Sequence, residues 1–179
     1  MNQNKQTKEP TKLVIRAAKC SDIDELMNVE QSANQAFLAI PHLAWLAEID
    51  LLPVEYHQKF IVNDYSAVAV IDEQVVGFIY AMRYEEDLYI LEVDVDRAKQ
   101  QQGIGQQLFK YMTSLAQKDG FKRITLTTFT DVAWNAPFYR KLGFEVMPAP
   151  LPAYLVDKID REVSFGFERA SRTAMYFNL

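Results

Sequence analysis

Gln100-Gln101-Gln102-Gly103-Ile104-Gly105 places two of the chain's six glycines within three residues. The segment lies between an alternating apolar run, residues 88–95, and a long amphipathic run that begins at Ile104. A glycine turn that opens a helix leaves backbone N–H groups unpaired at the positive end of the helix dipole. Such a turn suits a phosphate, although a glycine pair can also simply permit a tight bend. Two familiar phosphate loops are excluded by local chemistry. Gln106 and Gln107 stand where a nucleoside-triphosphate loop needs Lys and Ser or Thr. Leu108 stands where a dinucleotide fingerprint needs a small residue. Just ahead of the turn, Glu92 interrupts the apolar run, where a carboxylate can serve as a base. Strict alternation would put Leu91, Val93 and Val95 on one side of that strand and Glu92 and Asp94 on the other.

These residues need a scaffold, and hydrophobic periodicity supplies one. Residues 12–16 read as a first strand. Ser21-Asp-Ile-Asp24 reads as a helix cap, followed by Ile23, Leu26, Met27, Ala33 and Phe37 on one helical face. Pro53 suits the first turn of a second helix, to about Val62. Residues 67–71 and 75–81 form a hairpin, and a turn at 85–87 leads into the strand at 88–95. The helix from Gly103 carries Ile104, Leu108, Met112 and Leu115 on one face and stops at Asp119-Gly120. A strand at 122–129, a short helix capped by Asn135, a strand at 144–147, a helical stretch at 153–162 and a strand at 173–177 complete the order. This predicts one α/β domain over residues 12–179 behind a disordered lead-in, residues 1–11.

Hydrophobic residues make up 49% of the 179 and charged residues 24%, ordinary values for a globular domain. A net charge of −5 argues against nucleic-acid binding. No apolar run is long enough to span a bilayer and the N-terminal residues lack a secretory pattern, so a cytoplasmic protein without membrane partners is expected. Cys20, the single cysteine, reads as a semi-buried filler beside a helix start. His42 and His57 read as isolated surface or loop histidines, and no metal site is expected.

Some thirty residues beyond the glycine turn, Asn135-Ala-Pro-Phe-Tyr139-Arg-Lys-Leu-Gly143-Phe144 forms a second motif. Together with Gln100-x-x-Gly103-x-Gly105, it resembles the GNAT superfamily of N-acetyltransferases. Residues 126–134 look like a bacterial subgroup whose acceptors are poorly defined. The resemblance covers about residues 12–178 and implies the GNAT fold, a mixed, mostly antiparallel sheet flanked by helices. It also implies acetyl-coenzyme A as co-substrate, with its pyrophosphate on Gln100, Gln101, Gln102, Gly103, Ile104, Gly105 and Gln106. Val93, Asp94 and Val95 would line the pantetheine arm beside a bulge in their strand, and Asn135 and Phe138 would position the cofactor. Glu92 takes the role of general base, the Val93 N–H that of oxyanion donor, and Tyr139 that of general acid. Gln102 departs from the pattern, because many members carry Arg or Lys there; this implies a less basic cradle and weaker cofactor binding. Lys99, Arg140 and Lys141 are candidates for the outer phosphates.

For the acceptor, Phe37, Trp45, Phe129 and Trp134 offer aromatic walls, and Glu48, Asp50, Glu85 and Asp131 offer carboxylates, a combination suited to a cationic or aromatic primary amine. At least half of these aromatics are expected to be core packing instead. The expected reaction is direct transfer in a ternary complex, since no Cys or Ser lies near the motifs. The alternatives are a protein or peptide acetyltransferase, acting on lysine or an N-terminus, and a non-catalytic acyl-coenzyme A sensor. The resemblance also admits a homodimer.

Overall fold

The computed structural model describes residues 12–179, so the lead-in expected over 1–11 lies outside the described residues. Strand β1 (Val14–Ala17) is followed by α1 (Ile23–Asn34), two 3-10 segments, α2 (Val54–Asn63), and the antiparallel run β2 (Tyr65–Ile71), β3 (Gln74–Tyr84) and β4 (Asp87–Val95). Helix α3 (Ile104–Lys118), β5 (Arg123–Phe129), α4 (Ala136–Lys141), β6 (Glu145–Val146), α5 (Ala153–Phe165) and β7 (Arg172–Asn178) complete the chain. The seven strands form one sheet in the order β1-β2-β3-β4-β5-β7-β6, antiparallel throughout except where β4 meets β5. The element order read from periodicity is therefore correct.

The helices cover both faces of the sheet. Ile104, Leu108 and Met112 of α3 bury against Leu88, Ile90 and Ile124 on one face. On the other, Leu26 and Val29 of α1 and Phe60 of α2 pack with Val68, Phe78 and Tyr80, while Leu155 and Ile159 of α5 pack with Tyr89. The cap expected at Ser21 is not formed. Residues Cys20–Asp22 make a 3-10 turn, and the Asp22 carboxylate accepts from Lys19 N and from both ends of the Arg16 guanidinium. Cys20 is exposed rather than semi-buried.

Two irregularities of β4 set the course of its second half. Its parallel pairing with β5 runs only from Asp87–Arg123 to Tyr89–Thr125; beyond that the strands part. Against β3, Ala81 pairs with Ile90 but Tyr80 pairs with Glu92, so Leu91 is an extra, bulged residue. A one-residue insertion reverses the side to which every later side chain points. Leu88 and Ile90 face α3, and so do Val93 and Val95. Leu91 instead packs with Tyr80 and Tyr89 on the opposite face. This corrects the strict alternation expected for Leu91, Val93 and Val95.

Candidate active site

The parting of β4 and β5 opens a cavity of about 760 Å³. Its mouth is the start of α3, where Gly103 occupies the N-cap with φ of 78° and Gln101 is also left-handed at 62°. Glycine carries no steric penalty at such a φ. Among the described residues, no hydrogen bond reaches the N–H of Ile104, Gly105 or Gln106. Gly105 lies under the Phe138 ring, where an added Cβ would meet the ring edge at 3.3 Å, so this residue type lets α4 seat beside α3. Lys99, Gln100, Gln101 and Lys141 line the cavity.

Two expectations for this mouth change. Gln102 does not line the cavity; its amide donates to the Ala98 carbonyl at 3.4 Å. Arg140 does not line it either, because its exposed position on α4 faces away. The Gln100 amide is committed to the turn itself, donating to the Val95 carbonyl at 3.2 Å.

Along β4 the backbone alternates between donating toward β3 and donating away from it. The Asp96 N–H goes to Val76 on β3, which by alternation turns the Val93 and Val95 amides to the side that β5 has vacated. Glu92 and Asp94 project from the same bulged stretch into the cavity. Removal of water raises both carboxyls above the usual carboxylate range, and for Glu92 the charge of Asp94 is the next cause. Asp94 Oδ2 is buried and has no hydrogen-bond partner among the described residues. Two such buried carboxyls cannot both ionise cheaply.

Across the cavity, Asn135 sits at the N-cap of α4, but its side chain makes no cap bond. Its Oδ1 instead accepts from the buried Thr128 hydroxyl at 2.7 Å, which fixes the amide beside the cavity. Tyr139 packs its ring against Phe109 and Phe144. Its hydroxyl makes no hydrogen bond among the described residues, and its pKa is raised, first by burial and then by the charge of Asp94.

Phe37, Phe129 and Trp134 form one aromatic wall, with Phe37 ring centroids 6.1 Å from Phe129 and 5.7 Å from Trp134. Trp45 does not line the cavity: it is 38% exposed and packs on Phe165 and Phe167. Glu48, at the end of a 3-10 helix, and Asp50, Glu85 and Asp131, on turns and loops, also lie outside the lining, and all four are exposed. The carboxylates that do reach the cavity are Glu92 and Asp94.

Two features were missed from sequence. Arg172, opposite Phe129 in the β5–β7 ladder, lines the cavity beside Phe167. His57 is fully buried, not a surface residue. Its Nδ1 lies 2.8 Å from the Tyr80 hydroxyl, and its Nε2 is 3.7 Å from Glu30 Oε2. Burial raises the Glu30 carboxyl and lowers the His57 imidazolium, so it disfavours the charged form of each. The spacing His57, Phe60, Ile61 on one face of α2 was the available signal.

The site thus combines a helix start with unpaired N–H groups, a split sheet, and two carboxyls and a phenol lining the split. The chain belongs to the Acetyltransferase (GNAT) family, whose sequence model matches residues 24–144. The probable N-acetyltransferase camello of Xenopus laevis is 30% identical over 112 residues, 61% of this chain and 51% of that protein. The chain thus spans about half the length of this curated relative. Among solved structures, the PaiA N-acetyltransferase from Thermoplasma acidophilum in complex with coenzyme A superposes with a TM-score of 0.70 at 18% identity, covering 94% of this chain and 99% of that one. The ribosomal-protein-S18-alanine N-acetyltransferase from Escherichia coli gives 0.68 at 15% identity, covering 93% and 94%. At these identities the likeness is one of fold. No helix among the described residues is long and apolar enough to cross a membrane, and no group of three or more His, Cys, Asp or Glu among them could hold a metal ion.

Proposed function

We propose that residues 12–179 act as one acetyltransferase domain that moves the acetyl group of acetyl-coenzyme A to a primary amine in a ternary complex. The observation that carries this reading is a continuous cavity from the unpaired N–H groups of α3, along the bulged stretch of β4, to Glu92 and Tyr139. The pyrophosphate takes the α3 amides with Lys99 and Lys141 on its flanks, and the pantetheine arm takes the place of the missing β5 partner along Val93 and Val95. Bound this way, the cofactor completes the sheet.

An alkyl ammonium is almost wholly protonated at neutral pH and cannot attack until it loses a proton. The Glu92–Asp94 pair, raised toward neutrality, is matched to take that proton, with Glu92 as the base. The free amine attacks the thioester carbonyl, and the C–N bond forms as the carbonyl π pair moves onto oxygen. The outward Val93 N–H is placed to stabilise that oxyanion. Collapse of the adduct breaks the C–S bond. The carboxylate pair releases its first proton to solvent and takes the second from the nitrogen, while the sulfur takes one from Tyr139, which recovers it from solvent. The net products are an amide, a thiol and one proton.

Thiol release from acetyl-coenzyme A, measured with a panel of small amines, polyamines and peptides, tests the reading. Release with small amines supports it. Release with peptides alone would move the acceptor to a protein, and cofactor binding without release on any acceptor would replace catalysis by sensing.

A further inference from the structure

Among the described residues, Arg172 is the one cavity-lining cation that belongs to neither the α3 turn nor α4. It opens β7, on the far side of β5 from β4, and its side chain is only 6% exposed. Its Nε and Nη2 donate to the two oxygens of Glu162 on α5 at 2.8 and 2.7 Å. Glu162 is further fixed by the Thr127 hydroxyl at 2.6 Å. Because Thr127 spends its single proton on Glu162, the Tyr89 hydroxyl, 2.7 Å away, must donate to Thr127. The guanidinium also lies over the Phe129 ring at 4.3 Å. The chain Tyr89–Thr127–Glu162–Arg172 therefore holds the guanidinium rigidly by one edge. The other edge, Nη1, makes no hydrogen bond among the described residues.

A guanidinium at a cavity wall that is held by one edge leaves the other free for a ligand, and a carboxylate matches it in shape and charge. The opposite wall of the same cavity carries Glu92 and Asp94, whose chemistry suits an ammonium. Tyr139 lines the same cavity as both walls. Between them lie Phe37, Phe129 and Phe167, an apolar surface without polar demands.

We propose that Arg172 is an anion subsite, and that the acceptor is an α-amino acid with an apolar or aromatic side chain: its amine faces Glu92, its carboxylate takes the free edge of Arg172, and its side chain lies on the aromatic wall. The proposal rests on the acetyl-transfer reading and narrows its acceptor from amines in general to amines that carry an acid.

The test compares phenylalanine, leucine, methionine and tryptophan with their carboxamides in the thiol-release assay. A charge-assisted pair predicts a kcat/KM for the acids about 10- to 100-fold above the amides. The double variant R172Q/E162Q, which leaves no charge unpaired, should bring acids down to amides, and R172K should fall between. In parallel, binding of the N-acetyl amino acids and of their amides is measured by calorimetry with coenzyme A present. Amides used as well as acids, a preference that survives in R172Q/E162Q, or no binding of any N-acetyl amino acid would each overturn the subsite. Arg172-dependent binding of the N-acetyl amino acids without thiol release on any acceptor would uphold the subsite and overturn acetyl transfer instead.

Discussion

The two ends of the β4–β5 pair are built from the same kinds of residue and behave in opposite ways. At the zipped end, Asp87 accepts from Arg123 Nε at 2.9 Å, from Arg123 Nη2 at 2.7 Å and from the Tyr154 hydroxyl at 2.9 Å, while Tyr154 also meets Thr125. Each side chain of that network finds a partner within the protein, and the remaining Arg123 nitrogen belongs to a side chain 35% exposed to solvent. At the split end, Asp94 Oδ2, the Tyr139 hydroxyl and Arg172 Nη1 find none among the described residues. A satisfied buried network fixes structure, whereas an unsatisfied one costs stability and is kept where a ligand completes it. The strands separate at the point where the protein stops satisfying itself.

The largest effect that separates the two ends is expected from Glu92→Gln. Removing a general base should lower turnover about 100- to 1000-fold at neutral pH. Activity should recover in part at high pH, where free amine accumulates, and the urea midpoint should not fall. A pH profile parallel to that of the unaltered protein would remove Glu92 from the chemistry.

Asp87→Asn should do the reverse. It leaves Arg123 without its buried counter-charge, and because Arg123 is partly exposed the loss should be about 2–3 kcal/mol in urea unfolding. Turnover per folded molecule should stay within about twofold. If it collapsed, the zipped end would have to be counted as part of the site.

Tyr139→Phe is a finer probe. The hydroxyl has no partner to lose among the described residues, so stability should hold, whereas turnover should fall about tenfold with coenzyme A affinity unchanged in calorimetry. Unchanged turnover would leave the thiolate to depart unaided.

The smallest effect concerns pH. Carboxyls raised in the folded state bind more protons there than in the unfolded chain, so stability falls as pH climbs above their unfolded values of about 4. Asp94→Asn should flatten that decline between about pH 5 and 8 in thermal melts. An unchanged slope would place the titration elsewhere, for instance at Glu30.

Much of the fold and part of the site were legible in the residues alone. The periods of 2 and 3.6 are local properties, and the strand–turn–helix around Gly103 could be read from its own residues. Of the four aromatics, Phe37, Phe129 and Trp134 line the cavity, whereas Trp45 belongs to a neighbouring cluster with Phe165 and Phe167. What escaped depends on pairs of segments. The bulge in β4, expected from the family resemblance alone, falls at Leu91 as a mismatch in length between β3 and β4 that neither strand shows by itself. Arg172 acquires its meaning from Glu162 and Phe129, which flank it only after α5 and β5 have packed. His57 lay on the apolar face of α2, but a lone histidine offers no hint of the Tyr80 and Glu30 that receive it.

The bulge at Leu91 also bears on how such a chain can change. A sheet tolerates substitution far better than it tolerates a change in count, since one residue more or less makes or removes a bulge and the bend that goes with it. Loss of the Leu91 codon would leave Ile90 and Glu92 opposite Ala81 and Tyr80, with both carboxyls still on their present side, but the strand would lose the bend that carries its second half away from β5. In-frame deletions at this point should be lost from any library selected for activity, while replacements of Leu91 by other apolar residues should persist. The spacing, more than the identity of Leu91, carries the information.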